Sequence, residues 1–340
     1  MIHNYKFYEL DERIKIISLD EPKEISGFVK LLRLPILAYK LSKIIQKNKF
    51  VKIVSFLTRA NYINVLSNIF IKHKIIVNER AMPSLQYQYG FNGKINRFLI
   101  KSLYSKADFC LSNSHGNMKD LKDNFNVTNL AYIHNPFSLE MIETMSKKEI
   151  EIEKKRFTFV TVGRLDKGKN HKLIIDAIQD IDADLWIIGD GELREELQSY
   201  INVLNFNDKV YLLGKKENPF AYISEADCFV FASNHEGFPN VLVEALACGL
   251  PIISTDCQSG PREILAPDSD VNLQLKGEIE LAEYGILTPI KNVNKLREAM
   301  NLMIKDKHLR KNYQDKAKKR ANDFRIDKII KQYEEIICAE

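Results

Sequence analysis

Short apolar runs alternate with segments of helical spacing from residue 157 onward. The apolar runs, each ending in Gly, Ser or Asp, are 157–163, 183–189, 209–214, 228–233 and 251–256. The segments with helical spacing are 171–181, 191–204, 218–226 and 238–249. Apolar runs interleaved with helices are typical of a parallel sheet covered on both faces. The pattern therefore predicts a Rossmann-like, doubly wound α/β domain with ligands beyond the carboxyl ends of its strands.

The first half shows the same alternation less regularly. Its candidate strands are 14–18, 50–56, 74–78, 109–114 and 130–135. A charge-rich stretch follows Pro136, and proline favours extended backbone in the residue before it, so we expect a linker there. Helical spacing resumes beyond residue 291. The predicted organisation is a first domain at 1–136, a linker at 137–156, a second domain at 157–305 and C-terminal helices at 306–340, the last packing back on the first domain.

Composition narrows the class of protein. With 340 residues and 45% hydrophobic side chains, the chain is long enough for two domains and too apolar to be disordered. Five scattered cysteines without a CxxC pair exclude a disulfide framework and a zinc site of that type, and they fit a reducing cytosol. No long apolar run or apolar leader occurs, so neither a spanning helix nor a secretory signal is expected.

Charge is distributed unevenly. Residues 1–155 hold 25 Lys and Arg against 15 Asp and Glu, whereas residues 156–340 hold 25 against 30. This asymmetry indicates an anionic partner for the first half, and we expect a membrane surface. Lysine-rich genome composition is the alternative explanation. Nucleic acid is not expected, because the basic residues lack the interleaved aromatic platform of single-strand binders.

Residues 27–50 carry much of that charge. Leu, Ile and Tyr lie along one side and six Lys or Arg on the others, which predicts a basic amphipathic helix pair kinked at Pro35. Such helices can lie among lipid headgroups. An ordinary helix that packs its apolar face on the sheet explains the pattern equally well.

Three stretches of the second half would meet at the same edge of the predicted sheet. In the first, a strand turns over Gly163 and presents Arg164 and Lys169 at the entrance to a helix. Arg offers a planar fork, Lys a point charge, and helix amides add partial positive charge, a combination that suits a diphosphate. Solvated surface charges are the alternative.

In the second stretch, Glu236 and Glu244 flank the start of a predicted helix. Pro239 suits the first helical position, so the free amides of Asn240 and Val241 would face the crevice. We expect a diphosphate there, with Glu236 either on sugar hydroxyls or held off by the neighbouring cations. Glu244 would lie about two turns along the helix, at the ribose. A capping and a surface glutamate are the alternative.

The third stretch contains glycines that end two strands. Gly189, Gly191 and Gly214 stand where side chains would crowd a ligand, and the backbone at Lys215 would meet a planar base. Glycines that only form turns explain these positions equally well.

Together these stretches resemble the donor-binding domain of retaining GT-B glycosyltransferases, specifically glycosyltransferase family 4. The resemblance is carried by VGRLDKGKN, by IIGDGELREEL, and by the segment from LLGKKENPF through SNHEGFPNVLVEALACG to SGPREIL. It implies an α/β fold of GT-B type, two Rossmann-like doubly wound domains facing a cleft. It also implies roles: Arg164 and Lys169 hold the donor diphosphate, Glu244 the ribose, and Glu236 with the amides from Phe238 to Val241 the sugar and distal phosphate.

The implied chemistry needs no cofactor and no essential metal, because the cations and helix amides stabilise the charge that develops on the leaving phosphate. No acidic DxD pair occurs in this region to hold a divalent ion. The donor is expected to be a nucleotide-diphosphate sugar, with a UDP-sugar favoured.

The chain departs from the family in two places. It opens with NYKFYELDERIKIISLD, where the family has a strand, a glycine-rich loop and a helix, so we expect an N-terminally shortened first domain. Its neighbouring strands would be left unpaired or forced together. Glu79 and Arg80 occupy the expected position of a His that contacts the transferred sugar, with a helix cap as the alternative. His115 is expected at a loop or helix entry, and His134 and His235 form no cluster of metal-ligand spacing.

The leading hypothesis is a retaining transferase that moves a hexose or N-acetylhexosamine to a saccharide acceptor, lipid-linked by expectation, in cell-surface polysaccharide synthesis. It would act in the cytoplasm, peripherally at the inner face of the cell membrane. Two alternatives stay open: a truncated, non-catalytic donor-binding remnant, and a nucleotide-sugar epimerase of GT-B type.

Overall fold

The computed structural model describes residues 11–21 and 27–338. Its strands are β1 Lys52–Phe56, β2 Lys74–Glu79, β3 Phe109–Ser112, β4 Leu130–Tyr132, β5 Thr158–Val162, β6 Asp184–Ile188, β7 Val210–Gly214, β8 Cys228–Phe231, β9 Ile252–Thr255, β10 Glu280–Leu281 and β11 Ile286–Thr288. Its helices are α1 Gly27–Leu32, α2 Leu34–Asn48, α3 Thr58–Ser67, α4 Pro83–Gln86, α5 Gly90–Leu103, α6 His115–Phe125, α7 Leu139–Ser146, α8 His171–Ala177, α9 Arg194–Val203, α10 Pro219–Glu225, α11 Asn240–Ala247, α12 Pro261–Leu265, α13 Val293–Lys305, α14 Lys307–Ala321 and α15 Ile326–Cys338.

These elements form two compact units. The described residues of the first unit are 11–21, 27–79, 86–111 and 121–131. The second unit contains 80–85, 112–120 and 132–338. The second unit therefore includes short segments that follow strands of the first half. The predicted linker range contains helix α7, and the predicted domain boundaries stay a prediction.

A four-stranded sheet organises the first unit, with strand order β1-β2-β3-β4 and β1 parallel to β2. Four of the five strands expected in the first half are confirmed. The fifth, at 14–18, is wrong: this stretch has no regular structure, and Ile14 and Ile16 are exposed. A short apolar run becomes a strand only where neighbouring strands satisfy its backbone groups, and within the described residues none pairs with this one.

The helix pair expected at 27–50 is confirmed as α1 and α2. The break falls at Arg33, and Pro35 lies in the first turn of α2, where a missing amide hydrogen costs nothing. Leu34, Leu37 and Ile45 are buried, and α2 packs on α3. This is the packing expected of an ordinary helix of an α/β layer.

The second unit is built on a seven-stranded sheet of order β10-β11-β9-β8-β5-β6-β7. All five strands predicted from residue 157 onward are confirmed, and the α/β class is confirmed. The edge pair β10 and β11, which is antiparallel, was not predicted because two and three residues are too short to show a period.

The order of this sheet reverses at β5. From β5 the chain proceeds to β6 and β7 on one side, and then crosses to β8 and β9 on the other. Parallel pairing joins β5 to both β6 and β8. Ligands of open α/β sheets bind at such a reversal, beyond the carboxyl ends of the two strands that flank it. The loops after β5 and β8 are therefore where a site is expected.

Candidate functional site

The loops that follow β5 and β8 are joined by an ion pair. Lys169 Nζ lies 2.5 Å from Glu236 Oε1, and both side chains are largely withdrawn from solvent. The same ammonium group lies 5.4 Å from the centre of the Phe231 ring at the end of β8. The backbone amide of Asn234 donates to the carbonyl of Gly168 over 2.8 Å, which fixes one loop against the other. Two predicted site residues are thus brought together at the reversal of the sheet.

Glycine at 189 is required by a close backbone approach. A Cβ atom there would lie 1.9 Å from the carbonyl oxygen of Gly163, and the residue has φ +146°. Only glycine allows β6 to end directly against the turn that follows β5. The requirement for glycine at 189 thus comes from the protein's own backbone, and the prediction that Gly189, Gly191 and Gly214 leave space for a ligand stays a prediction.

Arg164 and Lys215 face solvent. The Arg164 side chain is 77% exposed, and its Nε lies 3.7 Å from Asp166 Oδ2, an arrangement that contributes little binding energy. Lys215 directly follows β7 and is also exposed. No ion pair or hydrogen bond among the described residues joins Arg164 to the Lys169 and Glu236 pair. Arg164 lies on the loop that the sequence predicted, but its side chain contacts Asp166 rather than the Lys169 and Glu236 pair.

Helix α11 begins beside Glu236. Pro239 caps it and Asn240 is its first residue, one position later than predicted. Phe238 and Pro239 are buried, and the Phe238 ring packs 5.6 Å from that of Phe324. The first amides of a helix have no partner within the helix, so those of Asn240 and Val241 can donate hydrogen bonds to an anion.

Glu244 is the fifth residue of α11, about 6 Å along the axis from the first, so the predicted two turns were an overestimate. Its carboxyl is partly buried, and burial raises its pKa to about 7. No cation or hydrogen-bond donor of the described residues pairs with the carboxylate.

Arg80, Asn135 and Asn240 form a chain of side-chain hydrogen bonds in the second unit. The Arg80 guanidinium donates to Asn135 Oδ1, and the Asn135 amide donates to Asn240 Oδ1. Arg80 Nη1 also lies 3.3 Å from the Tyr333 hydroxyl. The guanidinium is thereby linked to the first residue of α11. The sequence did not indicate this chain, because its members lie far apart along it.

Glu79, the neighbour of Arg80, has a different role. Its buried carboxylate accepts hydrogen bonds from the Thr58 hydroxyl over 3.0 Å and from the Tyr104 hydroxyl over 2.6 Å. It therefore belongs to the polar core of the first unit. The two residues that the sequence treated as one position fall in different units.

His171 was not singled out by the sequence. It begins α8, is buried, and lies beside Lys169 and Gly163. Burial, and secondarily the Lys169 charge, lower its pKa to about 4, so the imidazole is neutral near pH 7. Its Nδ1 has no hydrogen-bond partner among the described residues. In the sequence, only its position two residues after Lys169 could have indicated that His171 lies at the site.

Glu263 is a second carboxylate that the sequence did not indicate. Its carboxylate accepts hydrogen bonds from the backbone amides of His115 and Gly116, at the start of α6, over 2.8 and 2.9 Å. Its Oε2 also lies 3.3 Å from His134 Nε2. His115 is confirmed at a helix entry. Within residues 11–21 and 27–338, no three His, Cys, Asp or Glu side chains are grouped to hold a metal ion.

The geometry suits the binding of an anion. Three features lie where the sheet order reverses: the half-buried ammonium of Lys169, the first amides of α11, and the backbone of Gly163 and Gly189. A diphosphate matches this set because each of its oxygens accepts hydrogen bonds.

The chain is similar to known proteins over most of its length. The family model described as glycosyl transferases group 1 matches residues 142–320. The Campylobacter jejuni N-acetylgalactosamine-N,N'-diacetylbacillosaminyl-diphospho-undecaprenol 4-alpha-N-acetylgalactosaminyltransferase is 38% identical over 331 residues, 95% of this chain and 86% of that protein.

Two solved structures share the fold. Sucrose-phosphate synthase from Thermosynechococcus elongatus superposes with a TM-score of 0.78 at 17% identity, covering 93% of this chain and 81% of that one. Anabaena HepE in complex with UDP superposes with a TM-score of 0.72 at 18% identity, covering 88% and 82%.

Proposed function

Since the chain belongs to the group 1 glycosyl transferases and is a glycosyltransferase, we propose that it transfers a hexose or N-acetylhexosamine from a UDP-sugar to a lipid-linked saccharide, with retention of configuration. Its fold is that of GT-B enzymes. The observation that carries the proposal is the pair of Lys169 and Glu236 beside the start of α11, at the reversal of the second sheet.

In the proposed reaction, the bond between the anomeric carbon and the diphosphate oxygen breaks, and its electron pair stays on the diphosphate. The acceptor hydroxyl oxygen bonds to that carbon, and its proton passes to an oxygen of the departing diphosphate. Charge on the leaving group is stabilised by the Lys169 ammonium and by the amides of Asn240 and Val241. Such interactions raise the rate only to the extent that they strengthen as the charge develops.

The other predicted residues take supporting roles. Exposed Arg164 is free to turn toward the diphosphate, and its planar fork would then clamp two oxygens. Glu236, relieved of Lys169, accepts hydrogen bonds from sugar hydroxyls. Glu244 accepts those of the ribose, and the backbone after Gly214, at Lys215, faces the base.

The acceptor and the location extend what the relatives suggest. The Campylobacter relative is named for transfer to a diphospho-undecaprenol-linked saccharide, and HepE was solved with UDP. By analogy the acceptor here is lipid-linked and the enzyme works peripherally at the inner face of the cell membrane, in surface polysaccharide synthesis. No helix of the described residues has the length and apolar character needed to cross a bilayer. The basic residues of the first half supply attraction to anionic lipid.

The test is a transfer assay with purified protein, a panel of UDP-hexoses and UDP-N-acetylhexosamines, and lipid-linked acceptors, with products identified by mass spectrometry. We expect an acceptor lengthened by one sugar, and weaker donor binding in Arg164→Ala and Glu244→Ala. Donor binding without transfer to any acceptor would support the non-catalytic remnant. Release of an altered sugar without acceptor would support the epimerase.

A further inference from the structure

Helix α5 presents large aromatic side chains to solvent. Phe91 is 73% exposed and Phe98 69% exposed, and Tyr89, just before the helix, is 82% exposed. Phenylalanine rings are seldom this exposed on a helix that packs on a sheet, because each exposed ring leaves a large apolar area in contact with water. Their grouping on one helix points to a surface that is covered during function.

These side chains form one stripe with two lysines. Phe91, Lys94, Phe98 and Lys101 are spaced three, four and three residues apart, which places them on one side of the helix. All four are exposed. The opposite side, with Ile100 and Leu103, is buried in the core of the first unit. Helix α5 therefore carries large apolar side chains on two sides, and only the side with Ile100 and Leu103 packs in the core of the first unit.

The surroundings are basic. From residue 80 to residue 107 the sequence contains no Asp or Glu, and from 27 to 107 it contains fifteen Lys and Arg against one acidic residue, the buried Glu79. The Arg97 guanidinium stacks on the Phe125 ring at 5.3 Å, so it faces the protein rather than the stripe. Lys94 and Lys101 are the cations of the stripe itself.

We propose that the α5 stripe, Phe91, Lys94, Phe98 and Lys101, lies in the headgroup region of an anionic lipid bilayer. Phenyl rings enter the boundary with the acyl chains, and the lysines flanking them reach lipid phosphates. The inference deepens the proposed function and rests on it, because an enzyme with a lipid-linked acceptor must meet that lipid at a membrane.

The structure favours α5 over the helix pair that the sequence singled out. Helix α2 buries Leu34 and Leu37 in the core. The apolar side chains that it leaves in solvent, Ile36 at 53% and Tyr39 at 49%, are less exposed than Phe91 and Phe98. A second exposed apolar pair, Ile69 and Phe70, follows α3, but the Phe70 ring packs edge-on against Tyr39 at 5.4 Å. Phe70 therefore has an aromatic partner within the first unit, and Ile69 with Phe70 serves as the matched control.

The experiment is co-sedimentation of the full chain with vesicles of phosphatidylglycerol and phosphatidylcholine, and with vesicles of phosphatidylcholine alone. We expect binding only to the mixed vesicles, weakened by salt. Lys94→Gln with Lys101→Gln should lower the partition coefficient about 25-fold, since each lysine near an anionic surface contributes about fivefold. Phe91→Ser with Phe98→Ser should abolish sedimentation.

Controls separate this surface from general charge and apolarity. Lys43→Gln with Lys47→Gln removes two cations from α2, and Ile69→Ser with Phe70→Ser removes two exposed apolar side chains. Binding lost in the controls but kept in the α5 variants would overturn the proposal. So would binding that is equal on both vesicle types, or a dimer that the Phe91 and Phe98 variants abolish, which would assign the stripe to a second copy of the chain.

Transfer to a water-soluble acceptor analogue distinguishes failure of this inference from failure of the proposed function. The α5 variants should keep the melting temperature, donor affinity and soluble-acceptor activity of the unaltered chain. Unchanged vesicle binding in these folded, active variants sinks the inference alone. Absence of transfer in every chain, unaltered chain included, sinks the proposed function.

Discussion

Lys169 Nζ and Glu236 Oε1 lie 2.5 Å apart, although 67 residues separate them in the sequence. The ammonium group sits at the reversal of the second sheet, where a diphosphate would need it. Replacing Lys169 by Met leaves the Glu236 carboxylate half-buried without its cation and removes the charge that stabilises the leaving group. We expect kcat to fall by about 100-fold or more, measured by product formation at saturating donor.

Lys172→Met is the matched control for this prediction. Lys172 lies on the exposed side of α8 in an i,i+4 pair with Asp176. We expect it to change kcat by less than about twofold. Equal losses in both variants would mean that the effect comes from general charge rather than from the pair.

Gly237 lies against the backbone of Arg80. A Cβ atom at residue 237 would stand 2.4 Å from the Arg80 carbonyl oxygen, so Gly237→Ala must displace one of the two backbones. We expect a loss of about 1–3 kcal/mol in the free energy of unfolding, together with weaker donor binding, because Glu236 is the adjacent residue.

Gly277→Ala provides the comparison, since nothing lies within 4 Å of a Cβ atom at residue 277. Its free energy of unfolding should change by less than about 1 kcal/mol. Chemical denaturation measures both variants. A Gly237→Ala chain as stable as Gly277→Ala would contradict the close approach.

Glu244 should make donor binding depend on pH. Burial raises the pKa of its carboxyl to about 7, and ribose hydroxyls donate best to the ionised form. Below pH 7 the donor must displace a proton, so Kd should fall as pH rises, by up to about tenfold per pH unit, and level off above pH 7. Glu244→Gln should flatten this profile, and the exposed Glu225→Gln should leave it unchanged. Titration calorimetry across the pH range decides between them.

His171 should make stability depend on pH in the acid range. Its folded pKa is lowered to about 4 from 6.5, so the unfolded chain binds a proton between these values and the folded chain does not. Its contribution to stability is complete above pH 6.5 and is lost as pH falls toward 4, on the order of 3 kcal/mol in total. His171→Gln should reduce this slope, measured as the denaturation midpoint at successive pH values. A slope unchanged by the substitution would show that other groups cause it.

The sequence by itself determined strands β5 to β9 of the second sheet and the loops that carry the candidate site. The strands β5, β6, β8 and β9 bury both faces, so their apolar runs are continuous and stand out without any knowledge of neighbours. Because residues after such strands fall at one edge of the sheet, the sequence also placed Lys169, Glu236 and the start of α11 together. Local pattern suffices where one residue's environment is set by its own strand or helix.

Tertiary structure decided which side chains meet and which do not. The apolar run at 14–18 is not a strand, because no strand of the described residues pairs with it. Arg164 faces solvent although its loop lies where the sequence predicted. The chain from Arg80 through Asn135 to Asn240, and the close approach that requires Gly237, join residues far apart in the sequence. Such contacts depend on how distant segments pack, and a period of two or 3.6 residues carries no information about that.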